Sequence, residues 1–269
     1  MNFPSRTENS DLFMDRLDLI TLTFYRNERT PILMNDHGGA FGFDIHHALE
    51  VDYLIRTYEC DAIIETGTFL GDTTKYLSEM YPDLPVISIE SNLNFFRGAE
   101  KKLKNCANVT LLNESSDLAI KKFVDKFNCP FFYLDAHNDT PSPKYGPKSF
   151  PIFVELENIK KGIVCIGDFF IGDGAVQRYN FLLGGYNPFE ILYGRDEFDG
   201  VIMDKDFVEK YAKPSTKLYV NNSINTKVYP LPCHQWKRRS GRGYFGVGVI
   251  EDWFKDCNFF RIPTYNLTY

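Results

Sequence analysis

Four carboxylates in this chain stand in matching surroundings. Glu65 closes the run DAIIE (61–65), Glu90 closes PVISIE (85–90), Asp135 closes CPFFYLD (129–135) and Asp168 closes IVCIGD (163–168). Each run is short, continuous and apolar, as a buried strand requires. Ligands of an open α/β sheet bind beyond the carboxyl ends of its strands. Four acids at such ends would share one rim, and that rim would suit a cationic or hydroxylated ligand. Gly67 and Gly71 follow Glu65 in ETGTFLGDTTKYL (65–77) and let the backbone turn tightly and come close to a ligand. Glu90 lies 90 − 71 = 19 residues beyond Gly71, the spacing at which an acid ending the second strand grips ribose hydroxyls. The turn is not G-x-G-x-x-G, so the dinucleotide fingerprint is absent. A turn that begins with an acid suits a cationic cofactor better than a pyrophosphate.

The histidines admit more than one use. His137, two residues past Asp135, belongs to the same rim as a metal ligand, a general base or a loop residue bonded to backbone. His37, in NDHGGAFGF (35–43), belongs to a glycine-hinged lid or to a surface turn. His46 and His47 read as polar positions on an N-terminal helix. Trp236 and the basic Lys237–Arg239 stretch precede the last strand, within reach of an acceptor. Asp135 and Asp168 also keep a purely structural reading, because acids often cap the helix after a strand.

The elements that hold these residues alternate. Helical patterns at 73–81, 94–105, 115–127 and 150–162 separate apolar strands at 61–65, 85–90, 108–113, 129–135 and 163–168. Continuous apolar strands alternating with helices indicate a parallel sheet covered on both faces. The glycine-rich run 243–252 reads as a last, antiparallel strand. The expected fold is therefore α/β and Rossmann-like, mostly parallel, with helices on both faces. One domain spans 1–269. A helical or lid segment (1–60) precedes the core (61–168), which is followed by a less regular substrate-side insertion (169–242) and the last strand and tail (243–269).

The 269 residues are 43% hydrophobic and 25% charged, the composition of a globular chain. A net charge of −6 argues against a nucleic-acid surface. Aromatic residues reach 16%, with Tyr179, Tyr186, Phe189, Tyr193 and Trp236 in the irregular region, as core or as the walls of a groove. The six cysteines form no CxxC pair and no Cys/His metal spacing, which fits a reducing compartment; Cys165, in an apolar run, reads as buried. A polar N-terminus without a signal-peptide core and the absence of a ~20-residue apolar run lead to the expectation of a cytoplasmic protein without a membrane span.

The segment Glu65–Gly71 resembles the first motif of class I S-adenosylmethionine (SAM)-dependent methyltransferases. Glu90 stands where those enzymes hold the ribose, NESSDL (113–118) matches the region that contacts adenine, and RGYFGVGVI (242–250) is similar to their last strand. The resemblance covers about residues 61–168. It implies a cofactor site of Glu65, Thr66, Gly67, Thr68, Gly71, Thr73, Glu90, Ser91, Ser115, Ser116 and Asp135. A narrower resemblance, carried by FFYLDAHND and ENIKKGIVCIGDFF, is to metal-dependent sugar O-methyltransferases of the macrocin type. There an Asp ends the fourth strand, an Asp-Asp pair ends the fifth, and these acids hold a divalent ion, usually magnesium. Asp135 matches the first acid and Asp168 the second of the pair, but Gly167 replaces the first of the pair. His137 or Asp139 would have to complete the set. The implied metal ligands are Asp135, Asp168 and His137, and the implied catalytic residues are His137 and Asp135. The implied activity is methylation of a small-molecule or glycan hydroxyl, leaving a homo-oligomer open. Two alternatives stand beside it: metal-free transfer with His137 as base, and a non-catalytic binding module.

Overall fold

The computed structural model describes residues 9–26, 39–42, 45–136, 151–169, 205–212, 214–215, 219–221 and 241–248. Helices α1 (Asn9–Arg26) and α2 (Ile45–Thr57) lead into β1 (Ala62–Thr66). Then follow α3 (Asp72–Met80), β2 (Val86–Ile89), α4 (Leu93–Leu103), β3 (Val109–Leu112) and α5 (Ser116–Ala119). The chain continues through β4 (Pro130–Leu134), α6 (Pro151–Asn158), β5 (Gly162–Phe169), α7 (Lys205–Tyr211), β6 (Tyr219–Asn221) and β7 (Gly241–Val247). The strands form one sheet in the order β3-β2-β1-β4-β5-β7-β6. β1 to β5 run parallel, and β7 joins β5 antiparallel. This is the expected mostly parallel sheet with an antiparallel last strand. Strand order reverses between β1 and β4, which creates a crevice at their carboxyl ends.

Alternation along the strands divides the core into two layers. Ile63, Phe131, Tyr133, Ile163 and Cys165 face one side, where Phe24, Val51, Leu54, Tyr76 and Leu77 of α1, α2 and α3 cover them. Ile64, Ile89, Phe132, Leu134 and Val164 face the other, under Ile120, Leu156, Phe207 and Val208. All five residues of β1 and of β4 are buried, which is why their sequences are continuously apolar. A part-buried ion pair fixes the N-terminal helices: Arg16 Nε donates to Asp52 Oδ1 at 3.0 Å, and Tyr81 hydroxyl donates to the same oxygen at 2.9 Å. No helix among the described residues is long and apolar enough to cross a membrane.

Four expectations are corrected. The helix expected over 115–127 is α5 alone, continued only by a 3-10 turn, Ile120–Lys122. Asp61 draws the following chain toward β4: its carboxylate accepts from the amides of Asn128 (2.7 Å) and Cys129 (3.0 Å). The irregular region contributes α7 and a strand, β6, paired with β7. His47 is no polar surface position. It is fully buried, with Nε2 3.4 Å from Cys165 Sγ and its ring against Phe41, Tyr133 and Tyr244. The described part of the glycine loop, 39–42, is packed into the core and is not a surface turn. Phe41 is 1% exposed and packs edge-on against Tyr76 and Tyr133. The side chain of His46 and the whole of His37 lie outside the described residues.

Candidate functional site at the carboxyl rim of the sheet

The turn after β1 is built from the chain's own close contacts. Gly67 has φ +82, a left-handed value that strains any side chain, and a Cβ there would meet the Asp135 carbonyl oxygen at 2.5 Å. Asp135 N donates to Thr66 O at 3.0 Å, so the ends of β1 and β4 are tied at the point where strand order reverses. Gly71, φ +78, precedes α3, and its missing side chain lets Ala99 and Leu103 of α4 approach. Both glycines thus serve the packing of the rim.

Glu65 lies under this turn. It is 1% exposed, and its Oε2 accepts from the hydroxyls of Thr74 and, at 2.6 Å, Ser88. Thr68 Oγ1 and Ser88 Oγ are 2.5 Å apart, which extends the network to the turn itself. Burial pushes the Glu65 carboxyl up to about 7; the two hydroxyls pull it down, and the charges of Asp135 and Glu90 push it up further.

Glu90, the acid expected at the ribose, is already bonded on both oxygens. Oε2 accepts from Phe69 N and Oε1 from Asn92 N, each at 2.8 Å. It therefore joins the glycine turn to the start of α4. A carboxylate offers about four lone-pair sites, so hydroxyl donors can still be accepted. Asn113 continues the rim: its Nδ2 donates to the Glu90 carbonyl at 2.8 Å. Leu70 and Leu93 are partly exposed at this edge, and Phe69 packs against Phe95.

The remaining expected cofactor residues divide. Thr73 Oγ1 accepts from Phe41 N at 3.0 Å, anchoring the 39–42 segment. Ser91 is exposed beside Glu90, and Ser115 is exposed with its hydroxyl on Asp117. Thr66 and Ser116 are buried, and both hydroxyls act on Glu155 of α6. Asp135 is half-buried just past β4, and Tyr133 hydroxyl donates to its Oδ2 at 3.0 Å. Its Oδ1 stands over Gly167, where an added Cβ would lie only 2.0 Å away.

A divalent ion needs several oxygen or nitrogen ligands converging on one point. Among the described residues no group of three or more His, Cys, Asp or Glu is placed to hold one. Asp135 is the one expected ligand whose side chain is described, and its oxygens face Gly167 and Tyr133. These residues do not make a metal site by themselves. Asp168 has its backbone in β5, but its side chain lies outside the described residues, as does all of His137. Thr74, Ser88, Asn92, Tyr133 and Glu155 were not legible as site residues in the sequence, whereas Asn113 opens the stretch matched to adenine. The polar Ser88 inside an apolar strand was the visible signal for one of them. The placement of Glu155 on the apolar stripe Ile152, Leu156, Ile159 was the signal for another.

No protein-family model matches the chain, and no curated protein sequence matches it. Solved structures do. A candidate caffeoyl-CoA O-methyltransferase from Staphylococcus aureus is similar at a TM-score of 0.51 and 14% identity, over 87% of this chain and 100% of that one. An O-methyltransferase from Bacillus cereus in complex with SAH, the demethylated product of SAM, gives a TM-score of 0.49 and 14% identity over 89% and 94% of the two chains. TomG, an O-methyltransferase from Streptomyces achromogenes in complex with SAM, gives 0.48 and 18% over 92% and 99%. At this identity the likeness to the Staphylococcus aureus protein is one of fold: the Rossmann-like, mostly parallel sheet expected from the strand pattern.

Proposed function

We propose that this chain is a SAM-dependent O-methyltransferase acting on a small-molecule hydroxyl, with a sugar or glycoside as the acceptor class. The observation that carries the reading is the convergence of Gly67, Glu90, Asn113 and Asp135 on the carboxyl rim at the β1/β4 reversal. Bound there, SAM would supply its sulfonium methyl to an acceptor oxygen in line, leaving SAH, with the hydroxyl proton passing to a base such as His137 or to solvent. Transfer of this kind depends on proximity and alignment more than on covalent help from the protein. Glu90, held rigid by two amides, is assigned to the ribose hydroxyls. Ser91, Ser115 and the Asn113 segment flank the adenine. The Asp135 carboxylate, joined by Glu65 as it ionises near pH 7, gives the rim the negative field that a sulfonium prefers. Thr66, Thr68, Thr73, Gly71 and Ser116 act by shaping the turn.

The sugar acceptor and the divalent ion rest on the narrower sequence resemblance. In the metal-dependent reading Asp135, Asp168 and His137 hold the ion. The second reading, metal-free transfer with His137 as base, is favoured by one observation: Asp135 Oδ1 fills the space above Gly167, and Tyr133 holds Oδ2. The reading is tested by calorimetry with SAM and SAH, followed by methyl transfer to a panel of glycosides and phenols. Failure to bind either cofactor form rejects it. Binding without transfer to any acceptor assigns the chain to the non-catalytic modules.

A further inference from the structure

Each buried carboxylate on the described chain has a partner except one. Asp52 has Arg16 and Tyr81, Glu50 accepts from Tyr244 hydroxyl at 2.6 Å, Glu65 has Thr74 and Ser88, and Glu90 has two amides. Glu155 on α6 is 0% exposed, and neither of its oxygens makes a hydrogen bond. A buried polar group without a partner is costly, so its persistence asks for a reason.

Its surroundings suggest one. Thr66, the last residue of β1, is also 0% exposed, and its Oγ1 likewise has no partner. Ser116, the first residue of α5, is also buried, and α5 packs on α6. The Thr66 and Ser116 hydroxyls lie close enough to Glu155 to favour its charged form, although they stop short of bonding geometry; burial outweighs them and pushes the carboxyl up to about 7. Among the described residues, Asp117 of α5 also acts on it, pushing in the same direction as burial. The other elements packed on α6, the 3-10 turn and α7, bring Ile120, Phe207 and Val208 to the same core. Thr66 leads directly into the Gly67 turn, and Ser116 follows Ser115 in the segment assigned to adenine. One carboxyl thus stands between the two stretches of chain that must keep a fixed relation around a cofactor.

We propose that Glu155 is a positioning residue of the cofactor rim: its carboxyl draws in the Thr66 and Ser116 hydroxyls and so sets the Gly67 turn against the start of α5. This inference rests on the SAM-binding reading above. The ionised form makes the stronger, charge-assisted bonds, so it is the form that orders the rim. Cofactor affinity should then rise with pH as Glu155 ionises, and cofactor binding should lower its pKa by linkage.

The test is calorimetry with SAH at about pH 6 and about pH 8.5 on wild type, Glu155→Gln, Glu155→Ala and Thr66→Val. At the lower pH Glu155 is mostly protonated, and Glu155→Gln should match wild type within about twofold. At the higher pH it should bind roughly fivefold or more weakly, because Gln cannot ionise. Glu155→Ala and Thr66→Val should be weaker than wild type at the higher pH. Should the alanine variant fail to fold, the isosteric Gln and Val variants carry the result. A Glu155→Gln affinity that tracks wild type at both pH values overturns the inference and leaves the functional reading intact. Absence of SAH binding to wild type overturns both.

Discussion

Gly167 on β5 leaves room for the carboxylate of Asp135: a Cβ at position 167 would stand 2.0 Å from Oδ1 and 2.7 Å from Cγ. The position where the sequence resemblance calls for an acid is therefore closed by another acid. Its role is to let β4 and β5 bring Asp135 against the sheet while Tyr133 hydroxyl fixes the second oxygen. Gly167→Ala should force Asp135 out of this place. Overpacking of this kind costs about 1–3 kcal/mol, so the midpoint of thermal unfolding should fall by several degrees. Methyl transfer should fall further than SAH affinity if Asp135 faces the acceptor. A variant as stable and as active as wild type would show that Asp135 moves freely.

Glu90 links Phe69 N and Asn92 N, so its removal does two things at once. Glu90→Ala leaves two amides without their acceptor, at about 1–3 kcal/mol of stability, and deletes the acceptor for ribose hydroxyls. Glu90→Gln keeps one carbonyl oxygen and the shape. SAH affinity should fall roughly tenfold or more in Glu90→Ala, with a partial loss in Glu90→Gln. Calorimetry and a melting curve on both variants check this. A melting point that falls with SAH affinity unchanged would confine Glu90 to holding the turn.

The placement of Asp135 also bears on metal dependence. With its two oxygens on Gly167 and Tyr133, activity on an accepted substrate should survive exhaustive chelation. Under those conditions it should depend on His137, so His137→Ala should lower kcat by about 100-fold or more. Loss of turnover on chelation with recovery on adding magnesium would reinstate the ion with Asp135, Asp168 and His137 as its ligands.

Much of this architecture could be read from residue order. DAIIE and CPFFYLD are apolar throughout because β1 and β4 are covered on both faces, and their terminal acids mark the rim. β6 could not be read: three residues, Tyr219–Asn221, give too little pattern, and its pairing is with the distant β7. The glycines were legible as turn residues, but the contacts that require them are not local. Gly67 yields to the Asp135 carbonyl, Gly71 to α4 and Gly167 to a carboxylate from the neighbouring strand. Glu65 and Glu90 were legible as acids at strand ends, while their partners Thr74, Ser88 and the Phe69 amide are set by packing across elements. His47 misled for the same reason. Its polarity on a helix suggested solvent, and only the meeting of α2 with Cys165 and Tyr244 shows it in the core.

Glu65 and Glu155 lie on opposite faces of the end of β1, and burial raises both from 4.5 to about 7. The sign follows directly. In the folded protein these groups hold their protons to higher pH than in the unfolded chain, so between about pH 4.5 and 7 the native state binds more protons and stability falls as pH rises. A shift of this size corresponds to a cost of up to ~3 kcal/mol for each carboxyl once it is ionised. Replacing either by glutamine removes the titration and nearly preserves the shape. Relative to wild type, Glu65→Gln and Glu155→Gln should each gain stability with rising pH, with little difference near pH 5 and the largest near pH 8. Glu65→Gln keeps an acceptor for Thr74 and Ser88, so its gain should be the cleaner of the two. Urea unfolding of the three proteins across this range measures the slopes directly. Parallel curves for wild type and both variants would mean that these carboxyls titrate at ordinary values, and the rim would then carry both charges at every pH in the range.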